Sequence, residues 1–317
     1  MTKGVFVRSL IFFLFFEAAP VFAEDTRFDF GNLSFSVSPR ILERGSITDI
    51  VLGYRYAEKK GLKLHFRFSN ENKNEEFNID EVTDSLNAVN EKNIEIFLLP
   101  FEYFFIKSRT EELSAGVGVY YNYNKLTEKG YFNMPMLETI GKERVNSYSN
   151  DFSMHSFGPV FDIGFFSQVA FFEISGNAGI VPVFGFFAKQ KTGIVPLLDP
   201  HNADFSQVKS GSPYLYADLN FILFKYFSLD FLYNFSRLEY QTIDFDDDLN
   251  WRYPSQTVFT NSLKLEASFL LPIADSIFGK IGFGYSWGAI QLDSGGPIWN
   301  RQYYFIFNTS IKPKRGE

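Results

Sequence analysis

"LKLHFRFS", residues 62–69, alternates strictly: Leu62, Leu64, Phe66 and Phe68 leave the backbone on one side, Lys63, His65 and Arg67 on the other. A period of two specifies a β-strand, whose successive side chains point to opposite faces of the sheet. Periodicity does not say which face is the inside. In a soluble sandwich the apolar face is the core and the bases are wet. In a membrane barrel the apolar face meets lipid and the bases line an enclosed lumen.

The pattern recurs in longer runs. In "LSAGVGVYYNYN", residues 113–124, Leu113, Ala115, Val117, Val119, Tyr121 and Tyr123 oppose Ser114, Gly116, Gly118, Tyr120 and Asn122. In "TNSLKLEASFLL", residues 260–271, Leu263, Leu265, Ala267, Phe269 and Leu271 oppose Ser262, Lys264, Glu266 and Ser268. "GKIGFGYSWGA", residues 279–289, repeats the scheme with Ile281, Phe283, Tyr285 and Trp287 against Lys280 and four glycines or serines. Strands of soluble proteins run about 5–6 residues, whereas a tilted membrane strand needs about 9–11. These runs have the second length, and full charges sit at mid-strand on one face only, which is the apolar-out, polar-in pattern.

Twelve strands can be counted: 27–38, 48–57, 62–69, 94–105, 113–124, 152–165, 172–186, 214–223, 228–238, 257–271, 277–289 and 303–311. The count tolerates 10–14. The turns "EKKG", "IKSRTEE", "FSQVA", "FKYF" and "PIADS" are short, and they alternate with long connections at 70–93, 125–151, 187–213, 239–256 and 290–302. Barrels of bacterial outer membranes have such tight periplasmic turns and long outer loops. Aromatics band beside the short turns (Phe104, Phe105, Phe165, Phe166, Phe171, Phe224, Tyr226, Phe227) and at the other strand ends (Tyr121, Tyr123, Tyr285, Trp287), as interfacial girdles do.

Composition agrees. Aromatics make up 19% of the 317 residues, yet the mean hydropathy is −0.09, so apolar residues are dispersed rather than blocked. "MTKGVFVRSLIFFLFFEAAPVFA" has Lys3 and Arg8, an apolar run at 10–16 and Val21-Phe22-Ala23, the layout of a secretory signal peptide over residues 1–23. Residues 24–317 are then the barrel. Losing Lys3, Arg8 and Glu17 moves the net charge from −7 to −8, which speaks against nucleic acid as a partner. The chain has no Cys, which excludes disulfides and thiol chemistry.

On these residues the chain resembles the bacterial outer-membrane β-barrel proteins as a class. The resemblance implies an all-β, transmembrane, antiparallel up-and-down barrel in the bacterial outer membrane. It also implies contact with outer-membrane lipid and with the outer-membrane assembly machinery. One departure concerns the C-terminus. Such barrels usually end on an aromatic, whereas "YYFIFNTSI" here runs into "KPKRGE" and Phe307 is the nearest substitute.

With the apolar faces in lipid, the lumen receives Arg55, Lys63, His65 and Arg67 from strands two and three. Glu102, Asp162, Glu173, Asp218 and Asp230 follow from strands four to nine, then Lys264, Glu266 and Lys280 from strands ten and eleven. Closure puts strands ten to twelve beside strands one to three. That predicts a basic arc facing an acidic arc, and a transverse field that orients polar solutes in a narrow pore. Glycines Gly116, Gly118, Gly179, Gly282, Gly284 and Gly288 leave space on the same faces. The reading is a channel for small polar solutes. Two alternatives stand beside it: a plugged barrel serving structure or surface interaction, and a lipid-acting barrel enzyme. For the enzyme, "SMHS" at 153–156 is the one serine–histidine proximity, and its spacing carries no specific signal. No cofactor or metal is expected; the acidic "DFDDDLN" at 244–250 lacks the Gly and the distant Glu of a calcium loop.

Overall fold

The computed structural model describes residues 33–42, 44–79, 82–108, 110–133, 145–195, 201–211, 213–241, 244–245, 251–252, 254–274, 277–292 and 298–311. Residues 1–23, expected to be a signal peptide, and most of the acidic 244–250 segment lie outside the described residues. Twelve strands form the wall, two of them interrupted, so that β7 with β8 and β9 with β10 each count as one. They are β1 (Leu33–Leu42), β2 (Gly45–Ala57), β3 (Lys60–Ile79), β4 (Val82–Lys107), β5 (Glu111–Asn133), β6 (Val145–Val169) and β7 (Phe172–Val181). After β8 (Phe184–Val195) and β9 (His201–Gly211) come β10 (Tyr214–Leu223) and β11 (Phe227–Gln241). A small ladder of β12 (Asp244–Phe245) and β13 (Trp251–Arg252) precedes β14 (Ser255–Ala274), β15 (Ile277–Leu292) and β16 (Ile298–Ile311). The strands pair antiparallel round the ring, and β16 pairs with β1, so the barrel closes; β9, in the taller part of the wall, is laddered on one side only, to β8.

The wall is staggered. Paired residues followed round from Arg40 reach β6 at Met154 through β2–β5, and at Gln168 through β16, β15, β14, β11, β10 and β7. These two points lie 14 residues apart on one strand. Such a shear obliges the strands to tilt, typically by about 35–45°.

The outside is apolar. Phe283 is 67% exposed, Phe269 64%, and Val117, Phe161 and Phe305 stand out with them. The inside holds the buried charges Arg40, Asp49, Glu95, Asp162 and Glu266. A closed sheet with an exposed apolar band and a polar interior is a transmembrane β-barrel. At the short-turn end Phe105, Phe171, Phe224 and Tyr226 are exposed, with the Phe171 and Phe224 rings stacked 4.9 Å apart. Toward the other end Tyr303 and Trp287 are exposed, and Tyr285 packs 4.9 Å from Tyr303. Two aromatics expected in the first girdle turn inward instead: Phe104, which lies 4.6 Å under the Arg55 guanidinium, and Phe166.

The structure differs from the sequence expectation in three places. First, β1 continues past the expected end at 38 to Leu42, which pairs with Gly45 of β2; residues 27–32 of the expected strand lie outside the described residues. Second, much of the expected long loops is strand: β3 and β4 continue as one hairpin to Ile79 and Val82, and β5 and β6 to Asn133 and Val145. A hairpin needs only its own ladder to satisfy its backbone, so it can persist where neither face is apolar. The side chains help: Asn90 bonds Asn70 at 3.3 Å and also Asn72. Third, the expected strand 172–186 is broken at 182–183. Pro182 has no N–H for the ladder, and Pro213 lies at the matching break between β9 and β10. β8 and β9 continue the pairing beyond, so this part of the wall stands tall.

A bulge in β4 matters for the lumen. Leu98 pairs with Val119 but Phe101 with Val117, so one extra residue is inserted beside Pro100. Side-chain parity flips there: Glu95, Phe97 and Leu99 point in before the bulge, Glu102 and Phe104 after it. Opposite the bulge, a Cβ on Gly118 would lie 1.8 Å from the Leu98 carbonyl oxygen. Gly118→Ala is therefore expected to cost about 1–3 kcal/mol by overpacking. The check is the temperature at which the barrel loses its compact migration on an unheated detergent gel.

Candidate functional site in the barrel lumen

Halfway along the strands a chain of side chains crosses the lumen. The Tyr304 hydroxyl on β16 donates to Glu266 Oε1 on β14 at 3.0 Å, and Arg40 Nε on β1 donates to the same oxygen at 2.5 Å. Arg40 also binds Asp49 on β2. Arg67 on β3 donates to Asp49 Oδ1 at 2.6 Å and to Glu95 Oε2 on β4 at 3.2 Å. The Tyr214 hydroxyl on β10 stands 3.2 Å from Glu95 Oε1 and 3.2 Å from Asn234 Oδ1 on β11, and donates to one of them. Three wall strands separate β4 from β10, so the Glu95–Tyr214 contact spans the interior.

Rings and aliphatic side chains fill the sector beneath β5–β7. Phe97 lies 5.0 Å from Tyr120, 6.2 Å from Tyr214 and 4.9 Å from Tyr216, and Leu99, Val160 and Val181 pack with them. Gly179 and Gly284, expected to leave space, give it to rings: a Cβ on either would lie 2.2 Å from Tyr216 or Tyr304 respectively. Belt and aromatic cluster together cross the lumen at mid-height. Burial of this many charges is tolerable because each carboxylate of the belt is met by a guanidinium or a hydroxyl.

On the short-turn side of the belt lies a cavity of about 240 Å³. Lys63, His65, Arg67, Asp218, Asp230, Glu266 and Lys280 from the sequence-derived set all border it. His65 Nε2 lies 3.3 Å from Asp49, and Lys63 Nζ lies 3.7 Å from Asp162, which accepts from the Tyr216 hydroxyl at 2.6 Å. Asp218 Oδ1 accepts from the Asn177 backbone N–H at 2.9 Å and from its side-chain amide at 3.2 Å. Asp230 binds Lys280 and accepts from Ser228 at 3.1 Å.

The other residues of the set lie elsewhere. Arg55 pairs with Glu112 at 2.6 Å, and Glu102 accepts from Ser114 at 2.9 Å, both toward the short-turn end. Glu173 is half-buried at the start of β7, far from the belt along its strand. Lys264 is half-buried on β14 two residues before Glu266 and does not border the cavity. The basic arc facing an acidic arc is replaced by interleaved charges: Asp49 and Glu266 sit among the bases, held by Arg40 and Arg67. The guanidiniums are long enough to reach carboxylates one to three strands away, and pairing lowers the cost of burial.

Sequence reasoning missed Arg40, Asp49, Glu95 and the inward tyrosines Tyr214, Tyr216 and Tyr304; it set Tyr120 on the inward face without giving it a role. Arg40 fell outside a first strand ended at residue 38. Asp49 shares the parity of Arg55 and was legible on that ground. Glu95 was hidden by the β4 bulge, since a strict alternation puts it opposite Glu102. His155 of "SMHS" has its Nδ1 2.9 Å from the Tyr121 hydroxyl on an exposed face, apart from His65 in the lumen.

No protein family and no curated protein matches the sequence. Among solved structures, the translocator domain of autotransporter NalP from Neisseria meningitidis is 10% identical, with a TM-score of 0.43 over 98% of this chain and 100% of that one. The toluene transporter TbuX of Ralstonia pickettii is 9% identical, with a TM-score of 0.38 over 89% of each chain. The ferric yersiniabactin uptake receptor FyuA from Yersinia pestis is 8% identical, with a TM-score of 0.39 over 78% of this chain, which spans 36% of that receptor. At such identities the likeness is one of general barrel form.

Proposed function

We propose that this protein is a bacterial outer-membrane channel for small polar solutes, held closed here by the charged belt. One observation carries the reading: among the described residues, the seal consists of side chains of the wall itself, with a polar cavity directly beneath it. Side chains can repack without unfolding a strand, so such a seal can open. The apolar exterior supports the membrane location. The five tight turns at one end support an orientation with that end in the periplasm. In this reading the barrel catalyses nothing, takes no cofactor, and meets only lipid, solute and its assembly machinery.

The test is conductance of the refolded protein in planar bilayers. The wild-type protein is expected to open rarely, and variants that break the belt to give discrete steps. In a variant opened in this way, Lys63→Met is expected to shift the reversal potential in a salt gradient toward cation selectivity, because a lumenal cation is lost. A second reading, a permanently plugged structural barrel, draws on the bonding of every belt carboxylate. Folded belt variants that give no conductance steps over a range of voltages and salts would establish that reading and end the channel.

A further inference from the structure

The cavity beneath the belt is electrically balanced, with four Lys or Arg and four Asp or Glu on its lining. Its charges are not equally satisfied. Arg40, Arg67, Asp49, Glu266, Lys280 and Asp230 are all in ion pairs. Lys63 is held only at 3.7 Å from Asp162, beyond hydrogen-bond range, and Asp162 is already engaged by Tyr216. Asp218 accepts from Asn177 alone and has no cationic partner among the described residues. One cavity therefore presents one loosely held ammonium and one carboxylate without a counter-ion. Enclosed charges left in this condition cost free energy that a ligand of matching charges recovers.

We propose that this cavity binds a small zwitterion, its carboxylate on Lys63 and its ammonium on Asp218. A simple anion would satisfy Lys63 and leave Asp218 unpaired, and a simple cation would do the reverse. Val51, Phe97 and Leu99 border the same space and suit a short methylene stem. At about 240 Å³ the cavity lies just below the usual range of small-molecule pockets, which suits a compact ligand. As the solute class of the proposed channel the inference rests on that reading, although the site itself does not need the lumen to conduct.

Titration calorimetry on the folded barrel in detergent micelles tests it. The probes are glycine, β-alanine, γ-aminobutyrate and ε-aminocaproate, which step the distance between the two charges, with butyrate and butylamine as single-charge controls. At least one zwitterion is expected to bind tenfold or more tightly than either control. Lys63→Met and Asp218→Asn are each expected to weaken that binding at least tenfold. Equal affinity for butyrate, no binding by any of the four, or full binding by Asp218→Asn would overturn the site. The wild-type series decides even where a variant does not fold. Zwitterion binding without conductance in any belt variant removes the channel and leaves the site; conductance without zwitterion binding does the opposite.

Discussion

Arg67→Ala is expected to turn a barrel that opens rarely into one with sustained conductance steps. Arg67 ties Asp49 on β2 to Glu95 on β4, and Glu95 is the group that reaches across to Tyr214. Without the guanidinium, Asp49 keeps Arg40 and His65, but Glu95 keeps only tyrosine hydroxyls. An enclosed carboxylate robbed of its cation costs about 3–5 kcal/mol, and the barrel can relieve that cost by admitting water. At about 1.4 kcal/mol per factor of ten, even the lower figure shifts the open fraction about a hundredfold. Single-channel recording reads this directly. Arg67→Lys should fall between, since one ammonium lacks the fork that serves two carboxylates at once. A folded Arg67→Ala barrel with wild-type conductance would show that the belt is no gate.

Arg40→Met is expected to give the largest loss of stability. Arg40 binds Asp49 and Glu266 in a setting where the three residues are 5%, 6% and 4% exposed. Its removal leaves Glu266 with a tyrosine hydroxyl and shifts Asp49 onto Arg67 and His65, for a cost of about 3–5 kcal/mol. Urea unfolding from lipid vesicles, followed by tryptophan fluorescence, measures it. The contrast is Lys189→Ala: its pair with Asp204 is 3.4 Å long but half exposed, and should be worth less than about 1 kcal/mol. If the penalty of Arg40→Met comes from a stranded carboxylate, then adding Glu266→Leu should restore most of the stability, since Asp49 keeps Arg67 and His65. A double variant no more stable than Arg40→Met would place the effect in packing instead.

How much of this was legible in the sequence differs by level. The alternation at 62–69, 113–124 and 260–271 announces barrel strands, and each of those segments lies within a wall strand, β3, β5 and β14. The ends of strands were harder. Asn70, Glu71 and Asn72 offer no alternation, so periodicity ends β3 at residue 69, while the ladder carries it to Ile79. Periodicity reports the lipid boundary, and hydrogen bonding continues past it. The inward positions were readable wherever a strand is regular. They were unreadable across Pro100, where one inserted residue changes the face of everything beyond it.

By itself, the sequence determined that the strands of "LKLHFRFS" and its counterparts have one apolar and one polar face, because side-chain direction in a strand depends only on parity. Only the tertiary structure decided which charges meet. Arg40 and Glu266 lie 226 residues apart, and Glu95 and Tyr214 lie 119 apart. Their contact depends on closure between β1 and β16 and on a 14-residue stagger, properties of the whole ring that no single strand carries. A ring closed with another stagger would set the same residues at other heights. Lys63, His65 and Arg67 would still face inward, but the belt and the cavity beneath it would not form.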